Sequence, residues 1–315
     1  MKTPANEREM IACRTAQFFE DGNVVNLGIG MPTQCLEFLP EGVDVWVDTE
    51  NGAIGLAGAP GEDEEFPVDI VDGGVITEDS DMVMGINSRK QMSVAEAVMR
   101  NRILDKLMDA GVTIMDPAST FIEASVKIGR DAIIYPYTWL EGNTVIGEDC
   151  EIGPNARFTD VEIGNGCNLH FIYGHECKVM DNVTAGPYVH LRPNTVISNN
   201  VKIGNFVEVK NSNIGVGTKL PHLQYIGDSD IGANVNMGCG CITVNYDSKK
   251  KHRTVIGDNA FVGCNTNLVA PVTVEANTYI GAGSTITKDV PENALGIARA
   301  KQRNIEGWAE KYRNS

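Results

Sequence analysis

A six-residue beat constrains this chain more than any other feature. From Ile122 an apolar residue recurs at every sixth position, at Ile122, Ile128, Ile134, Leu140, Ile146, Ile152 and Phe158. The beat returns at Leu191, Ile197, Ile203 and Val209, and again at Ile256, Val262, Leu268, Val274, Ile280 and Ile286. Four residues after most of the first set stands a small or compact residue: Val126, Ala132, Thr138, Thr144, Cys150 and Ala156. A fixed hexad is the signature of a parallel β-helix, in which each hexad makes one short strand and a turn and three hexads close a triangular coil. At ~4.8 Å per coil, Ile122 to Val290 supplies roughly nine coils and a prism about 45 Å long. The beat fails twice, at 170–187 and in an insertion between Asn245 and Thr254. Insertions in a solenoid become surface loops, where sites are commonly built.

Ahead of the repeats the pattern differs. Residues 1–72 read as an α/β fragment, with a helix over Glu7–Glu20 closed by Asp21-Gly22 and strands over 24–27 and 43–47. Residues 73–111 form a junction and a connecting helix, which is expected to start at a capping box of Ser93 and Glu96 and to end at Gly111. The repeats then occupy 112–298, and 299–315 form a tail. The fold class is mainly β: a parallel β-helix preceded by a connecting helix and a truncated α/β fragment.

A net charge of -16 argues against a nucleic-acid or anionic-membrane surface. Any phosphorylated ligand must therefore rely on local cations, and the run Lys249-Lys250-Lys251-His252-Arg253 is either a solvated loop tip or a loop that reaches phosphates. The N-terminus has no apolar run of the kind a secretory signal needs, and no window is apolar enough to cross a bilayer, so the cytoplasm is the default location. The eight cysteines form no CxxC pair. Several take positions where the repeat wants a small residue, so they read as reduced and structural. No metal is expected, since Cys239 and Cys241 would alternate across a strand rather than converge.

Two resemblances add to this reading. NLGIGMPT (Asn26–Thr33), PEGVDV (Pro40–Val45) and TENG (Thr49–Gly52), in that order, resemble the start of the beta subunit of 3-oxoacid CoA-transferases. That resemblance implies Glu50 as a carboxylate that carries CoA as a thioester. It fades near Val71-Asp72.

The run from about Gly85 to Trp308 resembles the C-terminal half of the bacterial bifunctional GlmU family, which joins a glucosamine-1-phosphate acetyltransferase to an N-acetylglucosamine-1-phosphate uridylyltransferase. The resemblance rests on HLRP (His190–Pro193), GNFVEVK (Gly204–Lys210), PHLQYIGD (Pro221–Asp228), NVNMGCG (Asn234–Gly240), ITVNYD (Ile242–Asp247), LVAPVTV (Leu268–Val274) and the closing IARAKQ and EGW. It implies a left-handed coil, acetyl-CoA as a substrate, no metal for acetyl transfer, and a homotrimer with sites between subunits. It further implies His222 as general base with Glu208 orienting or polarising it, and Arg192 and Lys210 as contacts to the sugar phosphate. Tyr225 and Asn236 match sugar-binding positions. Asn245, Tyr246 and Lys251 lie on the inserted loop and would help close the site. Cys264, Ala282 and Arg299 match acetyl-CoA positions. The uridylyl activity should be absent, because no glycine-rich nucleotide loop followed by a lysine is present.

The chain departs from the family at Cys264, where Ser is usual, and at Pro221, Gln224 and Ser248. Cys264 replaces a good hydroxyl donor with a weak thiol, and Pro221 restricts the backbone just before the base. Three readings follow: an acetyltransferase, a CoA-transferase fragment using Glu50, and a trimeric scaffold with a disabled site.

Overall fold

The computed structural model describes residues 3–28, 32–43, 45–49, 70–71, 74–75, 86 and 88–315. The chain divides after Met99 into two compact units. In the first, helix α1 (Glu7–Ala16) is capped by Asn6, whose side chain accepts from the Glu9 N–H. It packs Ala12 and Ala16 against Cys35 and Phe38 of a short 3-10 helix, Pro32–Phe38. Strand β1 (Val24–Leu27) pairs in parallel with β2 (Trp46–Thr49). The first helix is therefore shorter than expected, and the second strand begins three residues later. Glu50 lies outside the described residues.

Helix α2 spans Arg89–Asp109, so its start is earlier than the expected Ser93. Ser88 is the residue at its head, its Oγ accepting from the Gln91 N–H at 3.2 Å. Ser93 and Glu96 fall inside the helix because Arg89, Lys90, Gln91 and Met92 are all good helix formers, and nothing there stops propagation. Leu104 is the one helix residue fully buried, and it joins the core of the repeats.

From Thr113 onward every described strand pairing in the second unit is parallel, giving a β-solenoid. One of its three faces is a nine-stranded sheet running from Lys127–Ile128 to Val272–Val274, and Val290 extends it by a bridge to Val274. The expected 18-residue coil holds only in places. Val145 pairs with Lys127 at 18 residues and with Glu162 at 17, and Glu162 pairs with Lys178 at 16. The long step is Asp230 to Val255, where the loop after Asn245 is inserted.

The six-residue beat marks the core. Ile134, Leu140, Ile152, Phe158, Leu191, Ile197, Val209 and Val262 are completely buried. The compact residues four positions later are buried too, and they do more than save space. Thr138 Oγ1 donates to the Tyr135 carbonyl at 2.8 Å, Thr144 Oγ1 to Glu141 at 2.6 Å, and Cys150 Sγ to Gly164 at 3.0 Å. Each polar tip satisfies a backbone carbonyl at a corner, as a buried hydroxyl or thiol must. Burial pushes the Cys177 thiol up to about 12 and Cys241 to about 11, so these cysteines are unreactive core residues.

Corners turn through left-handed backbone, mostly at Asn and Asp such as Asp131, Asn155, Asn200 and Asn234. These are the non-glycine residues that tolerate that conformation best. One stretch breaks this habit. Phe171, Tyr188, Phe206 and Leu223 hold φ of 48°, 61°, 58° and 51°, a strained choice for bulky side chains. Two strands there, Lys202–Lys210 and Lys219–Gly227, run nine residues each straight through the corner and join two faces into one sheet.

Candidate functional site

The two long strands carry most of the polar residues singled out above. Their register places Asn205 opposite His222, Glu208 opposite Tyr225, and Lys210 opposite Gly227. Gly204 sits one residue before this match, and a Cβ there would lie 1.9 Å from the Pro221 carbonyl oxygen. The close approach of Gly204 to Pro221 thus fixes the strands just ahead of the Asn205–His222 pair.

His222 is exposed, and its Nδ1 is 2.6 Å from Asn205 Oδ1. Glu208, expected to orient this imidazole, is engaged elsewhere: Arg192 Nη1 donates to its Oε1 at 2.7 Å. The reason is geometric. Glu208 sits three residues along the strand from Asn205, roughly 10 Å at ~3.3 Å per residue, and so faces Tyr225 rather than His222.

On the same face the cations gather. Lys210 Nζ lies 3.6 Å from Asp228 Oδ2. Repulsion from the Lys251 ammonium, together with burial, holds Lys210 below the ordinary lysine value, against the pull of Asp228. Arg192 adds to the same repulsion. Arg192, Lys210 and Lys251 therefore converge on one spot. Glu208 and Asp228 offset two of these three charges, so the face keeps a net positive charge.

Asp228 anchors the base of the cluster. It is buried, which pushes its carboxyl up, but hydrogen bonds from Asn211 and Asn245 and the charges of Lys210 and Lys251 outweigh burial and leave it below the usual value. Asn245 Nδ2 reaches Asp228 Oδ2 at 2.5 Å and Tyr225 Oη at 3.4 Å. Gly227 makes room for this: a Cβ there would lie 2.5 Å from Tyr225 Oη and 2.6 Å from Asn245 Nδ2.

The inserted loop resolves the two readings of its basic run. Arg253 folds back onto Asp230, at 2.8 and 2.6 Å, and also donates to the Asn211 and Ser229 carbonyls. His252 Nε2 lies 2.7 Å from Asp247 Oδ2. Lys249 and Lys250 stay exposed and donate backbone N–H groups to Asp247 Oδ1 at 2.8 Å. Lys251 alone turns toward Lys210. Tyr246, exposed at 58%, bridges to Lys251 through the backbone and donates from its hydroxyl to the Ser248 carbonyl.

A second feature runs along the corner that carries His222. The Gly240 N–H donates to the His222 carbonyl, Asn265 to Cys239 and Gly283 to Cys264, so these carbonyl residues succeed one another coil by coil. The register of Val262 with Ile280 puts Ala282 next in the column. Arg299 closes it, its Nη1 donating to the Ala282 carbonyl at 2.7 Å. Cys264 is exposed and Cys239 half-buried. Asn236 stands apart: it pairs with Lys219 and Phe261, before the corner, and not with the cation cluster.

Sequence reasoning missed Asn205, Asp228, Asn211 and Gly227 as parts of the site. Gln224, flagged only as a departure, is buried and clamps the Met237 and Gly238 carbonyls at 2.8 and 2.9 Å. Among the described residues no group of three or more His, Cys, Asp or Glu side chains could hold a metal ion, and no helix is long and apolar enough to cross a membrane.

Comparison with known proteins agrees with the repeat architecture. Residues 176–211 and 253–288 match the bacterial transferase hexapeptide family (six repeats). Over 237 residues the chain is 60% identical to Bifunctional protein GlmU of Caldanaerobacter subterraneus subsp. tengcongensis, a match covering 75% of this chain and 52% of that protein. With Bifunctional protein GlmU of a Geobacillus species the identity is 56% over 228 residues, covering 72% and 50%. An Arabidopsis UDP-N-acetylglucosamine acyltransferase structure is similar at a TM-score of 0.48 and 19% identity, covering 62% of this chain and 75% of that one. The chain spans about half the length of the curated relatives it matches.

Proposed function

We propose that this chain, which shares its repeat region with the GlmU proteins, transfers the acetyl group of acetyl-CoA to the amino group of glucosamine 1-phosphate. The observation that carries this reading is the pairing of one exposed imidazole, His222, with the convergent cations Arg192, Lys210 and Lys251 a few residues along the same sheet. Acyl transfer to an amine needs a base for the ammonium proton and fixed charge for the sugar's phosphate. An imidazole is the side chain suited to serve as that base near neutrality, and a guanidinium beside two ammonium groups suits a phosphate.

In this reading His222 takes the proton from the attacking amine, the new C–N bond forms as the C–S bond breaks, and CoA leaves as the thiol. The phosphate displaces Glu208 as the partner of Arg192, and Tyr225 holds the sugar. Acetyl-CoA lies along the column Cys239, Cys264 and Ala282, with Arg299 near its phosphates. Asn245 and Tyr246 border it through the inserted loop. The active unit is a homotrimer in the cytoplasm, with sites between subunits. Uridylyl transfer and catalysis at Glu50 form no part of the reading.

Mass spectrometry of the reaction product tests it. With acetyl-CoA the purified chain should N-acetylate glucosamine 1-phosphate and leave glucosamine, which lacks the phosphate, almost untouched. Equal acetylation of both sugars, or of neither, contradicts the assignment.

A further inference from the structure

We propose that Asn205 is the positioning residue of His222: it fixes the imidazole in the tautomer with the proton on Nδ1 and so leaves Nε2 as the atom that accepts the substrate proton. The catalytic part of this inference rests on the acetyltransferase reading above, whereas the tautomer itself does not.

Asn205 Oδ1 is 2.6 Å from His222 Nδ1. An amide oxygen has no proton to give, so at this contact Nδ1 must carry one and donate it. In a neutral imidazole the other nitrogen then holds the lone pair, and which nitrogen is protonated is set by the hydrogen bond the ring makes. Glu208 cannot serve, since its Oε1 is taken by Arg192 and it stands opposite Tyr225.

The backbone is built around this pair. Asn205 and His222 are direct ladder partners on the two strands that cross the corner without a break. One residue earlier Gly204 lets the strands close, since any side chain there would collide with the Pro221 carbonyl. One residue later Phe206 and Leu223 both adopt left-handed backbone, with φ of 58° and 51°. This conformation costs a bulky residue stability, and such strain collects where geometry serves function. The Phe206 ring stacks on Tyr188 with centroids 5.1 Å apart and a 6° tilt, which holds the bend in place. The Asn205 and His222 side chains are thus fixed on both sides, by a close approach before them and a strained turn after them. Pro221, noted in the sequence as a departure, belongs to this arrangement, because it supplies the carbonyl that Gly204 admits.

The test combines spectroscopy with kinetics on the full chain. With histidine labelled in 15N and the His222 signals assigned by loss in His222→Gln, wild type should show Nδ1 protonated and Nε2 bare in the neutral form. Asn205→Leu should shift the ring toward the Nε2-protonated form. It should also lower kcat about a hundredfold, the scale of a general base put out of action, with KM for both substrates within about twofold. Asn205→Asp, which still accepts, should restore the Nδ1 tautomer and keep kcat within about tenfold of wild type. A wild-type ring protonated on Nε2, or an Asn205→Leu variant with unchanged tautomer and kcat, overturns the proposal. A wild-type chain with the Nδ1 tautomer but no acetyl transfer would leave the positioning intact and refute the substrate reading instead.

Discussion

Glu208 and Arg192 are bound to each other at 2.7 Å, on neighbouring coils, and neither touches His222. With both side chains more than a third exposed, the pair is worth little as a brace for the fold. In the proposed reading its importance lies in the Arg192 charge it holds beside Lys210 for the sugar phosphate. Glu208→Gln is predicted to leave the His222 tautomer as it is in wild type, whatever it does to turnover. A changed 15N pattern in that variant would return the orienting role to Glu208.

In the proposed reading Lys251 and Lys210 share one anion site. Lys251→Met should raise KM for glucosamine 1-phosphate roughly tenfold or more, the scale of one charge-assisted hydrogen bond, and leave KM for acetyl-CoA nearly unchanged. The pair also sets a pH dependence. Because Lys251 and burial hold Lys210 below its ordinary value of 10.5, Lys210 loses its charge at lower pH than a free lysine would. Wild-type KM for the sugar phosphate should therefore climb on the alkaline side before that value is reached. In Lys251→Met the largest cause of the depression is gone, and the climb should move to higher pH. Initial-rate measurements across the alkaline range check both statements.

The turn of the inserted loop depends on Asp247. Backbone N–H groups of Lys250 and Lys249, with His252, hold its carboxyl down at about 2, from an ordinary 3.8. A lowered carboxyl stabilises the folded loop at every pH above the unfolded value, and that contribution is lost as pH falls through the folded one. Carboxyl 13C titration should therefore find Asp247 still ionised at pH 3, and Asp247→Asn should loosen the loop at neutral pH, seen as faster amide exchange at Lys249 and Lys250. A titration midpoint near the ordinary value would contradict the turn.

The core was legible in the sequence because it obeys a local rule. Ile134, Leu140, Ile152 and Phe158 could be placed inside from spacing alone, and each is fully buried. The contacts between coils could not be read in the same way. Arg192 meets Glu208 across 16 residues, Asn205 meets His222 across 17, and Arg253 meets Asp230 across 23. These pairings depend on coils that vary in length, and a one-residue error in a coil would bring different side chains together. The bond between Glu208 and Arg192 was out of reach for this reason, since family position names a residue but not its partner in this chain. The start of α2 was missed for another: two serines compete as caps, and only the geometry decides for Ser88.

Thiol accessibility separates the corner column from the core. Brief alkylation with iodoacetamide should label the exposed Cys264 first, while the buried Cys150, Cys167, Cys177 and Cys241 stay protected. If the acyl donor lies along this column, acetyl-CoA should slow the labelling of Cys264 several-fold, about as far as site occupancy allows. Peptide mass spectrometry reads both. Unaltered labelling at saturating acetyl-CoA would place the donor elsewhere.

The most direct test of the central claim is release of free CoA thiol from acetyl-CoA and glucosamine 1-phosphate, measured for wild type and His222→Ala side by side with light scattering on both. Wild type should release CoA only when the sugar phosphate is present, and His222→Ala should lose at least about a hundredfold in kcat with its assembly unchanged. Sugar-dependent release at the wild-type rate in a properly assembled His222→Ala protein would contradict the account.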